Sequence, residues 1–288
     1  MALGLNKTKR RIASVTSTQK ITKAMEMVAT VKLKRFKDAH FASGDYFLAL
    51  NEGISRCFAF LGEKETSPYR FCHNETAGDL VIFITSDLGL CAAYNSSLFR
   101  FLDSSIDKKK DRIIALGAKG IAHLSREGGC IMEEASAYGL SLNLTSKEAV
   151  RSAKKLKKDF LEGRFARLKV IYTRYVNSLS FVPEERQLLP IEANYAKKED
   201  EDYCPPIFEP DARSQGEALL DQYLASSIAY LINESQLSEQ ASRRNAMDSA
   251  NDNAEDLLKQ LQVEYNKARQ SSITQEITEV VAGASNAK

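Results

Sequence analysis

Few residues of this chain could carry out covalent or metal chemistry, and they lie far apart in the sequence. Cys91 lies in the stretch SDLGLCAAYNSS, just after an apolar run, and the end of a strand is a position where a thiol nucleophile can act. The three histidines, His40, His73 and His123, lack metal-ligand spacing, and no H-E-x-x-H pattern occurs. A buried structural thiol is therefore the better interpretation of Cys91, and we predict no metal site.

Motifs for nucleotide binding and acyl transfer are also absent from the sequence. The stretch LGAKGIAHLS (116–125) lacks the glycine spacing and the final Lys-Ser/Thr of a phosphate-binding loop, and there is no nucleophile elbow. The adjacent acids Glu133 and Glu134 are typical of a solvated turn. We therefore predict no catalytic residue, no nucleotide site, no cofactor and no small-molecule substrate bound directly by this chain.

The composition is that of an ordinary globular protein in which the charge is unevenly distributed. The chain has 288 residues, of which 43% are hydrophobic and 27% charged, and its net charge of +2 excludes a strongly polyelectrolyte protein. Residues 7–37 are different, because Glu26 is their only acid. The bases there are Lys7, Lys9, Arg10, Arg11, Lys20, Lys23, Lys32, Lys34, Arg35 and Lys37. This segment predicts an acidic partner; a solvated helix face and binding to nucleic-acid phosphates are the alternatives.

The cysteines and the apolar runs indicate the cellular setting. An odd number of cysteines without C-x-x-C spacing favours a reducing compartment and free buried thiols over disulfides or zinc. They are Cys57, Cys72, Cys91, Cys130 and Cys204. The most apolar run, LVIFIT (80–85), is too short to span a bilayer, and no secretory signal is visible. The sequence predicts a soluble protein that can still act at a membrane surface.

The N-terminal segment, residues 1–62, has the apolar periodicity of one long helix. Ile12, Val15 and Ile21 begin a stripe at helical spacing, and no proline interrupts it. A helix of about 55 residues is about 80 Å long, which is longer than a compact domain of this size. Such a helix needs a partner helix over much of its length.

The C-terminal segment, residues 211–288, supplies that partner. Asp211 or Ser214 is expected to cap the helix, and Ser214 with Glu217 makes a possible capping box. In residues 237–254 the apolar stripe gives way to small and polar side chains, which allow close approach but make a poor core for an isolated pair. We predict that the two terminal segments form one long antiparallel coiled coil.

Residues 77–192 have a different pattern, in which short apolar strands alternate with helices. This pattern favours a largely parallel, Rossmann-like α/β domain inserted between the terminal helices. An edge strand is expected at 187–191, because Pro190 cannot donate a hydrogen bond to a ladder. The other predicted elements are strands at 80–85, 111–117 and 167–176 and helices at 118–127 and 146–163.

Four segments resemble the gamma subunit of F-type ATP synthases. The stretch STQKITKAMEMVATVKLKR (17–35) is similar to that family's N-terminal helix, and ARQSSITQEITEVVAGA (268–284) is similar to its C-terminal signature. The stretch AMDSANDNAEDL (246–257) resembles the segment before that signature. FITSDLGLCAAYNSS (83–97) lies where the family has a strand followed by a D-R-G-L-C-G-G turn. The resemblance runs from end to end of the chain in the same order.

The resemblance implies a non-catalytic rotor shaft. In that family the coiled coil stands inside a ring of three alpha and three beta subunits, which hold the nucleotide sites. The α/β domain contacts the epsilon subunit and the membrane c-ring. Rotation of the shaft couples transmembrane proton flow to ATP synthesis and hydrolysis in the ring. The expected location is peripheral, on the cytoplasmic face of a bacterial inner membrane.

The resemblance also implies contact residues for the beta subunit. Arg243 and Gln270 match residues that meet an acidic loop of beta, and Thr274 lies one helical turn beyond Gln270. Met25, with Lys23 beside it, matches the level at which the acidic C-terminal loop of beta pushes on the shaft.

Both ends of the shaft are expected to have contacts of their own. Ile273, Ile277, Val280 and Val281 form an apolar stripe that would act as a bearing tip inside the ring. Glu209 matches a position near the polar loops of the membrane ring.

The chain departs from the family pattern in the turn after the first strand. Leu88 replaces the usual Arg, and Ala92 and Ala93 replace the two glycines. A shaft for a specialised rotary ATPase without a proton channel is therefore a second interpretation. A basic coiled-coil protein that binds nucleic acid, a structural scaffold, and an enzyme built on the α/β domain are further alternatives.

Overall fold

A computed structural model of the chain describes residues 2–60, 69, 74, 76–191, 207–209 and 211–285. The helices are α1 (Ala2–Phe60), α2 (Tyr94–Ser105), α3 (Ala118–Glu127), α4 (Ala135–Tyr138), α5 (Ser146–Leu161) and α6 (Ala212–Ser285). The strands are β1 (Leu80–Ile84), β2 (Arg112–Leu116), β3 (Ile131–Met132), β4 (Leu168–Tyr175) and β5 (Phe181–Leu189). The chain divides into two compact units, one of residues 1–31 with 243–288 and one of residues 32–242.

The five strands form one mixed sheet in the order β3-β2-β1-β4-β5. All neighbours are parallel except β4 and β5, which pair antiparallel as a hairpin. The predicted inserted α/β domain is therefore confirmed, and its parallel character holds for four of the five strands. Only residues 187–189 of the predicted edge strand 187–191 are in a strand, which is the longer β5, and Pro190 lies beyond its end. This strand tolerates Pro183 because it lies at the edge of the sheet.

Alternation along β1 divides the core of the larger unit into two layers. Leu80, Ile82 and Ile84 face a layer built with α5 and α6, whereas Val81 and Phe83 face a layer built with α2 and α3. Every residue of β1 is buried. Helices thus cover both faces of the sheet, as expected for parallel strands.

Within the larger unit, α1 and α6 pack as an antiparallel pair. Leu33 packs in a cluster with Leu237 and Ala241. Further along α1, the rings of His40 and Phe47 stack on Tyr230, with centroids 4.7 and 4.4 Å away. Rising numbers on α1 therefore meet falling numbers on α6, which confirms the predicted pairing.

Within the smaller unit, the same two helices are joined by polar contacts. Asn251 Nδ2 donates to Glu26 Oε2 over 2.6 Å, and Thr22 Oγ1 donates to Asn251 Oδ1. Ala29 and Met247 are buried close to this level.

The first turn of α6 settles which predicted residue caps this helix. Asp211 Oδ1 accepts the backbone N–H of Ser214 over 2.9 Å, and Asp211 Oδ2 accepts its hydroxyl over 2.8 Å. Asp211 is therefore the N-cap. The predicted capping box of Ser214 with Glu217 is wrong, because Ser214 already lies inside the helix and Glu217 instead pairs with Arg213 over 3.3 Å.

Candidate functional site

The middle of α6 carries a row of buried polar side chains, residues 234–242, which we call the polar segment. Buried polar groups are costly unless each finds a hydrogen-bond partner. This segment lies on the α/β sheet, so it is not the core of an isolated helix pair. Its buried polar members are Glu234, Ser235, Ser238, Glu239, Gln240 and Ser242.

Two serines fix the polar segment to β4. The backbone N–H of Thr173 donates to Ser235 Oγ over 3.3 Å, and Ser238 Oγ donates to the Thr173 carbonyl oxygen over 3.0 Å. Tyr94 Oη lies 2.8 Å from Ser235 Oγ, and burial raises the pKa of Tyr94 well above its usual range. Short hydroxyl side chains thus let α6 lie against the end of the strand while its polar groups stay satisfied.

Cys91 belongs to the same region and is a buried thiol. Its side chain is 3% exposed, and Asn95 Nδ2 donates to its Sγ over 3.2 Å. The hydroxyl of Ser242 donates to the Cys91 carbonyl oxygen over 2.8 Å. The predicted burial of Cys91 is confirmed, and this residue joins the strand-end turn to the polar segment.

Glu234 is the acidic group of the polar segment and is 6% exposed. Its Oε1 accepts the backbone N–H of Tyr175 over 3.2 Å. Burial is the main cause that raises the pKa of Glu234 to about 7, and the charge of Glu184 acts in the same direction. The charges of Arg174 and Arg186 lower this pKa without cancelling the effect of burial.

The residues expected to meet the beta subunit lie at separate levels of the smaller unit. Lys23 is exposed, Met25 is half-buried, and Arg243 is 6% exposed, whereas Gln270 and Thr274 are exposed. Because α6 is continuous, the 27 positions from Arg243 to Gln270 correspond to about 40 Å along its axis. The structure therefore does not bring these two side chains together. Glu209, the residue expected near the membrane ring, is exposed before α6 begins.

The last three turns of α6 extend beyond the start of α1. Thr22 and Glu26 both contact Asn251, and α1 begins at Ala2. In an antiparallel pair the start of α1 therefore lies at about residue 273 of α6. The apolar side chains from that level onward are exposed. They are Ile273, 47% exposed, Ile277, 59%, Val280, 71%, and Val281, 63%.

A cavity of about 570 Å³ lies between α1, α5 and α6 in the larger unit. Its polar lining consists of amides, hydroxyls and Arg35, including Asn143, Gln222, Asn233 and Gln236. Among the described residues that line it there is no Asp, Glu, His, Lys or Cys. The described lining thus offers hydroxyls and amides but no carboxylate, imidazole, amine or thiol.

One group of potential metal ligands occurs in the described part of the chain. Asp103 at the end of α2 and His123 and Glu127 on α3 place their ligand atoms within 4.8 Å of one another. Spacing along the chain did not indicate this group, because the ligands come from two helices.

A family model described as ATP synthase matches residues 4–286. The ATP synthase gamma chain of Mycoplasmopsis pulmonis is 37% identical over 281 residues, which is 97% of this chain and 98% of that one. The gamma chain of Mycoplasma mobile is 36% identical over 286 residues, with 97% and 98% covered, and that of Clostridium beijerinckii is 36% identical over 286 residues, with 98% of both covered. This chain belongs to the ATP synthase gamma chain family.

Solved structures show the same fold at lower identity. A chain of the Euglena gracilis mitochondrial ATP synthase rotor is 16% identical, with a TM-score of 0.61 over 95% of this chain and 100% of that chain. A chain of the Tetrahymena thermophila central stalk and c-ring structure is 24% identical, with a TM-score of 0.57 over 80% and 99%. Within the described residues, no helix is both long enough and apolar enough to cross a bilayer.

Members of the gamma chain family are non-catalytic, and they form the central rotor stalk of the F-type ATP synthase. Membership in the family accounts for the two long terminal helices with an α/β domain between them. The predicted family, fold class and non-catalytic role of the chain are therefore confirmed.

The strand-end turn of this gamma chain shows what the departures from the family pattern do to the backbone. Ala92, where the family resemblance expects glycine, has a φ of 46°, and Leu90 has a φ of 61°. Ala93 at the other glycine position has an ordinary φ of −83°. A left-handed conformation costs an L-residue about 1–2 kcal/mol. Leu88, which replaces the usual Arg, is 64% exposed.

Because Ala92 has a positive φ and Ala93 does not, glycine is expected to change the free energy of unfolding differently at these two positions. Ala92→Gly relieves the strain but adds freedom to the unfolded chain, which costs about 0.4–1 kcal/mol, so we expect a neutral or stabilising change. Ala93→Gly has no strain to relieve, and its entropy cost is offset in part because Ala93 is the N-cap of α2, where glycine is preferred over alanine, so it should change stability little. The two free energies of unfolding, measured in urea, should differ by about 1 kcal/mol. Equal destabilisation by both variants would contradict the strained turn.

Proposed function

We propose that this chain turns as the central shaft of a ring of three alpha and three beta subunits and couples proton flow to ATP synthesis and hydrolysis. Residues 1–62 and 211–288 would form the shaft, and residues 77–192 the α/β domain. The observation that carries the proposal is the end of α6, where the apolar side chains of Ile273, Ile277, Val280 and Val281 are between 47% and 71% exposed. Apolar side chains exposed to water are unfavourable in an isolated protein, whereas a surrounding ring would bury them.

The α/β domain is proposed to face the membrane side of the complex. There it would contact the epsilon subunit and the c-ring, with Glu209 close to the polar loops of that ring. Solved relatives with this fold come from a central stalk with c-ring and from a rotor, which supports this assignment. The complex would lie peripherally at the cytoplasmic face of a bacterial inner membrane.

Contacts with the beta subunits are proposed at two levels of the shaft. Arg243 and Gln270 lie about 40 Å apart along α6, which exceeds the reach of one loop. We therefore assign each of them to a separate contact with a beta subunit. Gln270 and Thr274 are one turn apart and both are exposed, and Thr274 Oγ1 donates to the Gln270 carbonyl oxygen over 2.9 Å. Met25 and Lys23 would meet an acidic loop of beta on the other helix.

Loss of these contacts should slow the motor without preventing its assembly. A hydrogen bond to a charged group contributes about 1.5–3 kcal/mol, so Gln270→Ala and Arg243→Ala should each lower turnover about tenfold or more. Gln262→Ala is a matched control, because Gln262 is also exposed on α6 but has no assigned contact. ATP hydrolysis would be measured per assembled complex. Turnover equal to that of the control in both variants would contradict the assignment.

Co-purification from membranes tests the proposed function as a whole. A tagged chain should recover alpha and beta subunits, the epsilon subunit and the membrane ring in fixed ratio. Recovery of a catalytic ring without a membrane ring would support the shaft of a rotary ATPase without a proton channel. Recovery of neither would reject the rotor proposal.

A further inference from the structure

The facing sides of α2 and α3 carry a cluster of ionisable side chains that the rotor function does not use. His123 and Glu127 lie four residues apart on α3, and Asp103 reaches the same point from the end of α2. Residues at i and i+4 project from the same face of a helix. Two helices of the α/β domain thus present one imidazole and two carboxylates to a common centre.

His123 is the unusual member of the cluster. It is 8% exposed, and neither of its ring nitrogens makes a hydrogen bond within the described residues. The ring is held in place by Phe99, which stacks on it with centroids 3.9 Å apart and an angle of 6° between planes. A buried imidazole without hydrogen bonds loses its hydration and gains nothing in return. Its Nε2 instead faces Glu127 Oε1, on the side where the two carboxylates meet.

The distances in the cluster suit a small tetrahedral ion. His123 Nε2 lies 3.3 Å from Glu127 Oε1, a contact without hydrogen-bond geometry. Two ligands that each bind zinc at about 2.1 Å in a tetrahedron lie about 3.4 Å apart. The pair therefore already has the required spacing, and Asp103, whose ligand atom lies within 4.8 Å of the other two, needs to move by at most about 1.4 Å to complete three ligands.

A cation already occupies the centre of this cluster. Lys108 Nζ lies 2.7 Å from Asp103 Oδ1 and 3.1 Å from Glu127 Oε2. Its side chain is 40% exposed, so the ammonium group can swing into solvent without being buried elsewhere. A divalent ion would take the place of that ammonium group and would add the His123 imidazole to the two carboxylates as a ligand.

We propose that Asp103, His123 and Glu127 form a zinc site in which Lys108 is the competing internal cation. One imidazole and two carboxylates are ligands that zinc accepts, and water can complete the tetrahedron. The bound ion would join the end of α2 to α3. The site is independent of the shaft, so it can be tested without the assembled motor.

The competition gives two substitutions with opposite expected effects. His123→Phe keeps an aromatic ring on Phe99 but removes the nitrogen ligand, so zinc affinity should fall about tenfold or more. Lys108→Gln removes the competing ammonium group, so zinc affinity should rise. A network that is only a set of surface ion pairs predicts no rise in the second variant.

A second charged cluster of the chain serves as a matched control. Lys259 lies 2.9 Å from Glu255 and 3.5 Å from Asp256, so it also joins one lysine to two carboxylates, but without histidine. Lys259→Gln should leave zinc affinity unchanged. Glu127→Gln, at a partly exposed position, provides a ligand variant with little risk to the fold.

The experiment is a titration of the full chain with zinc chloride, followed by calorimetry and by the ring ¹⁵N signals of its three histidines. We expect one histidine ring to shift on binding, and we expect that signal to be missing in His123→Phe. Tighter binding by Lys108→Gln together with weaker binding by His123→Phe and Glu127→Gln would support the site. Unchanged affinity in these three variants, or a shift confined to His40 or His73, would overturn it.

Discussion

Lysine at Ile277 or Val280 is expected to stop most complexes from assembling or from producing torque. Both side chains lie on the part of α6 that extends past the start of α1, and they are 59% and 71% exposed. Inside a ring these positions would be dehydrated, and a buried unpaired charge costs several kcal/mol. Removal of residues 285–288 should have a far smaller effect, because Ser, Asn, Ala and Lys at these positions add no large apolar side chain to the stripe.

A charge at the tip is expected to hinder rotation because the tip meets several equivalent subunits in turn. A helix tip would pass three equivalent subunits in each turn, and a strong ion pair with any of them would create a deep stopping point. An apolar surface gives contact that changes little with angle, because the hydrophobic effect has no direction. Ile273 and Val281 extend the same surface, so we expect it to act as a bearing.

Ile277→Met is the matched control for Ile277→Lys. Methionine is also long and flexible but carries no charge, so it should assemble and rotate like the parent chain. ATP hydrolysis, yield of complex and single-molecule rotation would be measured for each variant. Lysine variants that assemble and rotate normally would rule out the bearing.

Glu234→Gln is expected to make the chain more stable at pH 8 by about 2–3 kcal/mol. Glu234 is buried at the polar segment, and burial raises its pKa from 4.5 to about 7. The folded chain therefore still holds this proton at pH values where the unfolded chain has released it. The free energy of unfolding of the parent chain therefore falls as the pH rises from about 4.5 to about 7. Glutamine keeps an oxygen for the Tyr175 N–H and has no proton to lose.

The expected pH dependence follows because the pKa of Glu234 is higher in the folded chain than in the unfolded chain. Below about pH 4.5 both states carry the proton and the two chains should be similarly stable, whereas between about 4.5 and 7 the parent chain should lose stability relative to Glu234→Gln. Above about pH 7 the difference should stay constant. Urea unfolding of both chains at pH 5, 6, 7 and 8 measures this difference.

Glu217→Gln supplies the control for this experiment, because Glu217 lies on the same helix in a partly exposed pair with Arg213. Exposed ion pairs contribute about 0–1 kcal/mol, so this variant should change little at any pH. A constant difference between Glu234→Gln and the parent from pH 5 to pH 8 would contradict the buried, protonated state.

Elements with clear end signals were predictable from the sequence. Helix α3 begins and ends where predicted, because glycines flank it at positive φ, 97° for Gly117 and 68° for Gly128. Strand β1 is buried on both faces and reads as a continuous apolar run.

The sequence did not predict elements in which polar residues obscure the apolar periodicity. Helix α2 was not predicted because it is rich in Ser and Asn, although Tyr94, Leu98 and Leu102 repeat at four-residue steps and are buried. The first half of β5 was missed because an edge strand with Glu184 and Glu185 has little apolar signal.

The candidate sites depend on contacts that spacing along the chain does not contain. Spacing in the sequence could not bring Asp103 to His123, because each lies on a different helix. The strain at Ala92 needs the backbone angle as well as the sequence. The apolar stripe at 273–281 could be predicted from the sequence, whereas the exposure of its side chains needs the register between α1 and α6.

Direct observation of rotation tests the central claim, that this chain is the turning shaft of the motor. The alpha–beta ring would be fixed to a surface, and a probe attached through Leu179→Cys in a chain whose other accessible cysteines are replaced by serine. Leu179 is 83% exposed at the tip of the β4–β5 hairpin. With ATP, the account predicts that the probe turns in one direction with three pauses per revolution. A probe that stays still while the same complexes hydrolyse ATP would contradict it.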